Sequence, residues 1–478
     1  MEVKRQRLRK SEKILCISVL LCVIFGHVID FAGIRFAGLT LTLYRVGIPI
    51  LAWYFLARLC LRYRSKPYIL SRSFVLCLVV MSFWLLYGMV LMFISQYSSI
   101  FDGMKELLNL FLGILSVFCI TECCNTKEIL FYFLKVLKVM ICILCLFAIV
   151  EMISGFHFTS SKYFSAYSID QFRYLFFRGI SLDQFFPVTS IFYGINDFAA
   201  FLAIFFPLFY IDRTEEKKLK IRNACMMFVI TFLLLVGDAN IAFITIIIAF
   251  LFMLALKVYN RYSVGSLTLL LFMQRWIVKW VANGIFLIKR WIGSLGLVRE
   301  VSNAVVHSAA SWDFGAVDTI ANTGKVVAAQ MQTAEQGYGS LYVRIMVMCD
   351  SIDMWLDSCL LGVGPSGFTN YLNRNGARSE IKNPHNFWLE ILSQYGIFVF
   401  VAYIGFLLYI FMKNIKNYFL NKEFVLLRIL CIMVSYVFAS IAPSNFLNYS
   451  YQWIVLAVGI VSIKLFSGRT INLEGNMR

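Results

Sequence analysis

The sequence predicts an all-α polytopic membrane protein, and three observations predict it. First, of the 478 residues 60% are hydrophobic and only 15% charged, with a mean hydropathy of +0.77, which is more apolar surface than a soluble core of this length can use. Second, apolar runs of roughly 18 or more residues recur along the chain, each long enough to cross the ~30 Å hydrocarbon layer as a helix. The strands of a membrane β-barrel would be shorter and alternating. Third, 44 Lys and Arg against 26 Asp and Glu give a formal charge of +18, yet the basic residues lie between the apolar runs. That pattern orients a membrane protein and argues against a nucleic-acid partner.

The elements follow in order. The opening MEVKRQRLRKSEK carries Lys4, Arg5, Arg7, Arg9, Lys10 and Lys13, so the amino terminus is expected in the cytoplasm. No small-residue cleavage site follows the first apolar stretch, which is therefore expected to stay as a span. Spans are expected at 14–30, 38–60, 73–94, 104–121, 128–153, 195–211, 223–237 and 240–258. LRYRSKPYILSR and DRTEEKKLKIRN are basic connections, whereas SQYSSIFDG and APSNFLNYS hold no Lys or Arg. KVYNRYSVG, after the eighth span, and KNIKNYFLNKE, after the span at 387–412, both read as cytoplasmic. The chain must then cross once between them, and the candidate is 266–290, where Arg275 and Lys279 would have to snorkel. Spans at 424–441 and 451–467 complete about twelve, with both termini inside. Residues 1–478 thus form one membrane domain with two long outer loops, 154–194 and 291–386. The 13 cysteines, among them Cys16, Cys22, Cys77, Cys142, Cys145, Cys431 and the adjacent Cys123 and Cys124, show no disulfide or zinc spacing and read as small apolar residues.

On this topology the unusual polar residues collect at the outer face. Arg173 and Arg178 lie in the first long loop, Asn196 and Asp197 open the sixth span, and Asp238 and Asn240 sit in the tight turn GDANIAF. Arg344, His385 and Asn386 complete the set. Ionisable groups gathered at helix mouths mark a site. Blander readings stand beside this one. Asn386 or Asn383 makes a good N-cap and His385 suits the headgroup interface; Arg344 could pair with lipid headgroups; Asp238 and Asn240 could simply make the turn. Arg45, within the second span, has a structural reading, and Asp350, Asp353 and Asp357 read as a solvated helix face. His27, His157 and His307 show no partner in sequence. GVGPSGF at 362–368 fits a glycine-rich phosphate loop only in spacing: Phe368 stands where a lysine is needed and no strand precedes it, so it reads as a turn.

RIMVMCDSIDMWLDSCLLGVGPSGFTNYL followed by NPHNFWLEILSQYGIFVFVAYIGFLLYI, with GINDFAAFLAIFFPL upstream, resembles the signature region of the O-antigen ligase and polymerase superfamily over roughly 170–415. The resemblance implies a GT-C-like transferase in the bacterial cytoplasmic membrane with its active site facing outside. It implies movement of a glycan from an undecaprenyl diphosphate carrier to a sugar hydroxyl, with a flippase and a chain-length regulator as partners. On that reading Arg344 holds the diphosphate as a planar charged fork, His385 is the base for the acceptor hydroxyl, and Arg173, Arg178, Asn196, Asp197, Asp238, Asn240 and Asn386 contact substrate. No Asp-x-Asp metal pair is found in the sequence, so a transfer without metal or cofactor is expected. Where ligases of the family often carry Ser-Arg this chain has GDANIAF, which suits a polymerase of capsule, O-antigen or teichuronic-acid type better. A ligase remains the alternative. A transporter would place its polar residues near the midplane, often with repeat symmetry, and neither pattern is present.

Overall fold

The computed structural model describes residues 10–36, 39–63, 71–158, 160–164, 187–212, 214–237, 239–259, 340–378, 382–443 and 446–467. Most of them are helical, as an apolar chain that must satisfy its own backbone in lipid requires. In order they are α1 (Lys10–Ile24), α2 (Leu43–Tyr63), α3 (Arg72–Ile94), α4 (Ile100–Cys123), α5 (Lys127–Ser154), α6 (Ile195–Phe205), α7 (Lys217–Val236), α8 (Asn240–Tyr259), α9 (Ser340–Asp357), α10 (Gly367–Asn375), α11 (Phe387–Asn421), α12 (Phe424–Ala439) and α13 (Gln452–Phe466). Seven of these are long and apolar enough to cross a membrane, and three further apolar segments, Ile195–Phe209, Phe424–Ala439 and Gln452–Phe466, are shorter. The expected span at 266–290 and most of the loop at 291–386 lie outside the described residues.

Two local expectations change. The segment before α2, taken from 38 onward as the start of a span, folds as an antiparallel hairpin of β1 (Asp30–Phe36) and β2 (Leu39–Thr42). Arg45 belongs to it: its Nη1 donates to the Thr40 carbonyl at 2.8 Å, so the cation in the first turn of α2 anchors the hairpin. The acidic stripe on α9 is paired rather than solvated. Asp350 is buried and accepts from Arg378 Nη1 at 2.8 Å and from the Arg378 backbone N–H at 3.1 Å, Asp353 also binds that guanidinium, and Tyr371 donates to Asp357. Three carboxylates one helical turn apart thereby strap α10 and the loop after it onto α9.

The helices close around an aromatic core. Trp84 of α3 meets Tyr395 and Tyr403 of α11 edge-on at 5.5 and 5.2 Å between centroids, and the Tyr403 and Tyr436 hydroxyls share a hydrogen bond of 2.7 Å. Buried phenols need such partners.

The element that most directly positions the site is a break in α11. At Gly396 the backbone turns to φ 74° and ψ −177°, a conformation open to glycine and not to a residue with a Cβ. Helical carbonyls left orphaned there are taken by the Leu-Gly-Val-Gly strap: Val363 N–H donates to Ser393 O and Gly364 N–H to Gln394 O, each at 2.9 Å, and Ile397 N–H returns a bond to Leu360 O at 3.0 Å. Side chains secure the strap from α3, α4 and the turn between them. Ser98 Oγ donates to Pro365 O at 2.7 Å, Tyr87 to Leu361 O at 3.0 Å, and Glu106 accepts from both the Ser366 N–H and the Tyr395 hydroxyl, at 2.8 and 2.6 Å. The glycine-rich stretch is therefore a splice between α9 and α11.

Candidate functional site

His385 sits at the lip of α11 because the residues on both sides fix it. Asn386 is the N-cap, its Oδ1 accepting from the N–H groups of Trp388 at 3.0 Å and Leu389 at 3.4 Å, the pairing that short polar side chains make at this position. The helix start is pinned to α12 by Phe387 N–H to Ser440 O at 3.1 Å and by Trp388 Nε1 to Val437 O at 3.0 Å. Between buried Pro384 and this cap, His385 is held at φ 31°, in the left-handed region that few residues with a Cβ occupy. Strain of this kind is found where surrounding contacts dictate a side chain's direction.

Arg344 lies on α9, near its start, on the helix that the strap splices to α11. Its guanidinium is partly withdrawn from water, and Nη1 is fully buried with no hydrogen-bond partner among the described residues. Burial works against its charge, and an arginine in this state has an unmet demand for an anion. Arg344 and Lys162 both act on His385: burial first, then the Arg344 and Lys162 charges, push the imidazole from its ordinary 6.5 down to about 4. Three basic side chains from three parts of the chain thus converge, and the histidine among them is held neutral.

Lys162 had no signal in the sequence. It is exposed on a short segment after α5 that is tied down by a buried carboxylate. Glu151, near the end of α5, accepts from Thr189 N–H at 2.8 Å, Ser190 N–H at 2.5 Å and Thr189 Oγ1 at 2.6 Å, and lies 2.5 Å from His157 Nδ1. Ser161 joins through Thr189 at 2.9 Å, and Lys162 N–H binds Tyr193 O at 2.9 Å. The partner that His157 lacks in sequence is therefore Glu151. A glutamate inside the apolar run FAIVEMIS was the clue, since such a charge persists in an apolar helix only when it is hydrogen-bonded.

Of the other expected site residues, Asn196 is half-buried in the first turn of α6 and Asp197 beside it is buried. Asp197 is engaged with tyrosines: the Tyr449 phenol is hydrogen-bonded to its carboxylate and, through burial and that charge, holds its proton well above the ordinary range; Tyr451 donates to the Asp197 carbonyl at 3.4 Å. Asn240 is exposed as the first residue of α8. Its turn packs close to α6, where a Cβ on Gly237 would stand 3.0 Å from Ile195 Cγ2. Arg173, Arg178 and Asp238 lie outside the described residues.

Two comparisons with known proteins bear on this region. Residues 225–404 match the O-antigen ligase family model, a segment that contains Arg344, the Leu-Gly-Val-Gly strap, His385 and the broken start of α11. The chain is also similar to the teichuronic acid biosynthesis protein TuaE of Bacillus subtilis (strain 168), with 22% identity over 402 residues covering 81% of this chain and 71% of that protein.

Proposed function

We propose that this chain, whose residues 225–404 match the O-antigen ligase family model and which is similar to a teichuronic acid biosynthesis protein, acts in surface polysaccharide biosynthesis by transferring a glycan from a polyprenyl diphosphate carrier to a sugar hydroxyl at the outer face of the membrane. The observation that carries this reading is the buried Nη1 of Arg344, which has no hydrogen-bond partner among the described residues, on a guanidinium whose charge acts on His385.

The chemistry divides among these groups. The diphosphate departs with the electron pair of the anomeric C–O bond, and its charge is met by the planar fork of Arg344 with Lys162 nearby. The acceptor hydroxyl gives its proton to the His385 imidazole as its oxygen forms the new bond to the anomeric carbon. A base with a pKa of about 4 is always ready to accept a proton at neutral pH but is a weak one. Donor binding offsets part of this: burial, the larger cause, remains, but a diphosphate beside Arg344 and Lys162 neutralises the charges that add to it, so the base strengthens when its substrate is in place. Two cations supply the stabilisation that a metal provides in other phosphate chemistry, so the transfer is proposed to need none.

Polymerisation of a surface glycan is the reading adopted over ligation to an envelope acceptor, and what supports it is the turn GDANIAF, which carries no arginine. The test is to delete the gene and analyse the lipid-linked glycans, with complementation by wild type and by His385→Gln. Accumulation of single repeat units, relieved by wild type and not by His385→Gln, is expected; accumulation of full-length lipid-linked polymer would mark a ligase instead. Polymer made at the wild-type rate by His385→Gln, which hydrogen-bonds but takes no proton near neutrality, would end the base assignment.

A further inference from the structure

Beside the basic cluster is a cavity of about 390 Å³ that none of the residues discussed as acid, base or cation lines. It lies between the turn after α1, the segment before α6 and the segment before α13, and its lining includes His27, Phe192, Tyr193, Asn383, Asn448 and Tyr449. The rim is shared with the site at two points. Asn383 stands two residues before His385, and the Tyr193 carbonyl accepts the Lys162 backbone N–H at 2.9 Å.

The chemistry of the lining selects a ligand class. Among the described residues that line the cavity there is no Lys, Arg, Asp or Glu, so it is not built for a phosphate. Ile24, Val28, Ile191 and Phe192 make part of the wall apolar, and amides, hydroxyls and an imidazole make the rest polar. Aromatic faces interleaved with neutral donors and acceptors match a sugar, whose ring carries apolar C–H faces and a girdle of hydroxyls. The volume falls within the roughly 300–1,000 Å³ of small-molecule sites, enough for a short sugar segment.

Two polar groups of the lining are placed for a ligand, one buried and one exposed. His27 is held by its ring, tilted against Tyr44 at 4.3 Å between centroids, while its Nε2 is buried with no hydrogen-bond partner among the described residues. Such a group calls for a partner that the described residues do not supply. Asn448 accepts from Asn109 Nδ2 at 2.9 Å through its amide oxygen, which fixes the side chain with its NH2 group as the end left to donate.

We propose that this cavity binds the sugars of the lipid-linked glycan, with His27 and Asn448 reading their hydroxyls and Tyr193 offering a ring face. The proposal rests on the lipid-linked reading of the neighbouring site, and the test separates the two. Purified protein is titrated with two probes: undecaprenyl diphosphate, which has no sugar, and the lipid-linked glycan extracted from cells deleted for this gene. His27→Ala, Asn448→Leu and Tyr193→Ala are each expected to weaken the glycan-bearing lipid about tenfold, the size of a lost hydrogen bond or ring contact, and to leave undecaprenyl diphosphate binding unchanged. Asn448 and Tyr193 are exposed, so their variants carry the test even where His27→Ala does not fold. Wild-type affinity for the glycan-bearing lipid in all three overturns the proposal, as does an equal loss for both probes, which would assign the cavity to the lipid or to the fold. Arg344→Ala is expected to weaken both probes; if it binds undecaprenyl diphosphate normally, the diphosphate reading fails, and the sugar cavity is then judged by the cavity variants alone.

Discussion

Replacing Arg344 with glutamine should change the titration of His385, a residue just ahead of another helix. The imidazole is displaced from 6.5 to about 4, with burial as the larger cause and the Arg344 and Lys162 charges adding to it. Arg344→Gln removes one charge and leaves the burial, so the midpoint should climb above 4 and stop short of 6.5. Undecaprenyl diphosphate added to the wild type should raise it as well, by neutralising both cations. The assay is histidine-selective isotope labelling and NMR of the purified protein. With only four histidines in the chain, the His385 resonance is assigned by its loss in His385→Asn. The same displacement carries a stability consequence of definite sign. Folded protein holds His385 neutral down to about 4 while the unfolded chain protonates it near 6.5, so the unfolded state binds the extra proton between these values. Stability from this group is therefore complete above about 6.5 and is lost as pH falls toward 4, on the order of 3 kcal/mol in all. A wild-type midpoint near 6.5, or one that Arg344→Gln does not move, would refute the convergence of these side chains and with it the coupling of base strength to donor binding.

Three further outcomes are expected. Arg344→Lys keeps the charge but cannot reproduce the planar fork, so it should lose most polymer-forming activity at normal protein level; full activity would reduce Arg344 to a lipid or structural contact. Gly396→Ala should prevent the strap from seating, because the new Cβ would stand 2.3 Å from Leu361 O in a backbone conformation with φ +74°; loss of folded protein, or folded protein with α9 open to protease and activity gone, is the expected readout, and a stable active variant would show that α11 does not need its break. Asn375→Cys should react with an impermeant thiol reagent on intact cells and Lys416→Cys should not, measured against the labelling of the wild-type cysteines; the reverse would turn the proposed orientation inside out.

Much of this protein is written in local sequence. The helices from α1 to α8 and from α11 to α13 fall on the apolar runs, since the length of a span and the hydrogen-bonding demand of lipid are met within one segment. Asn386 as N-cap is also local, a short polar side chain ahead of an apolar helix. The hairpin at Asp30–Thr42 was not legible, because its short apolar segment has the composition of a span start and its partner across the ladder is decided by pairing. Glycine spacing in GVGPSGF excluded a phosphate loop, but its task could not be read there: the strap has meaning only against the orphaned carbonyls of Ser393 and Gln394, some thirty residues on. Arg344 and His385 stood out as charged or titratable groups beside apolar runs. That the arginine's Nη1 is buried with no partner among the described residues, and that burial first and the Arg344 and Lys162 charges next hold the histidine neutral, depends on helices and loops brought together by packing. Residue type determined which groups could do the chemistry; desolvation and charge proximity, which exist only once distant segments meet, decided their protonation and their partners.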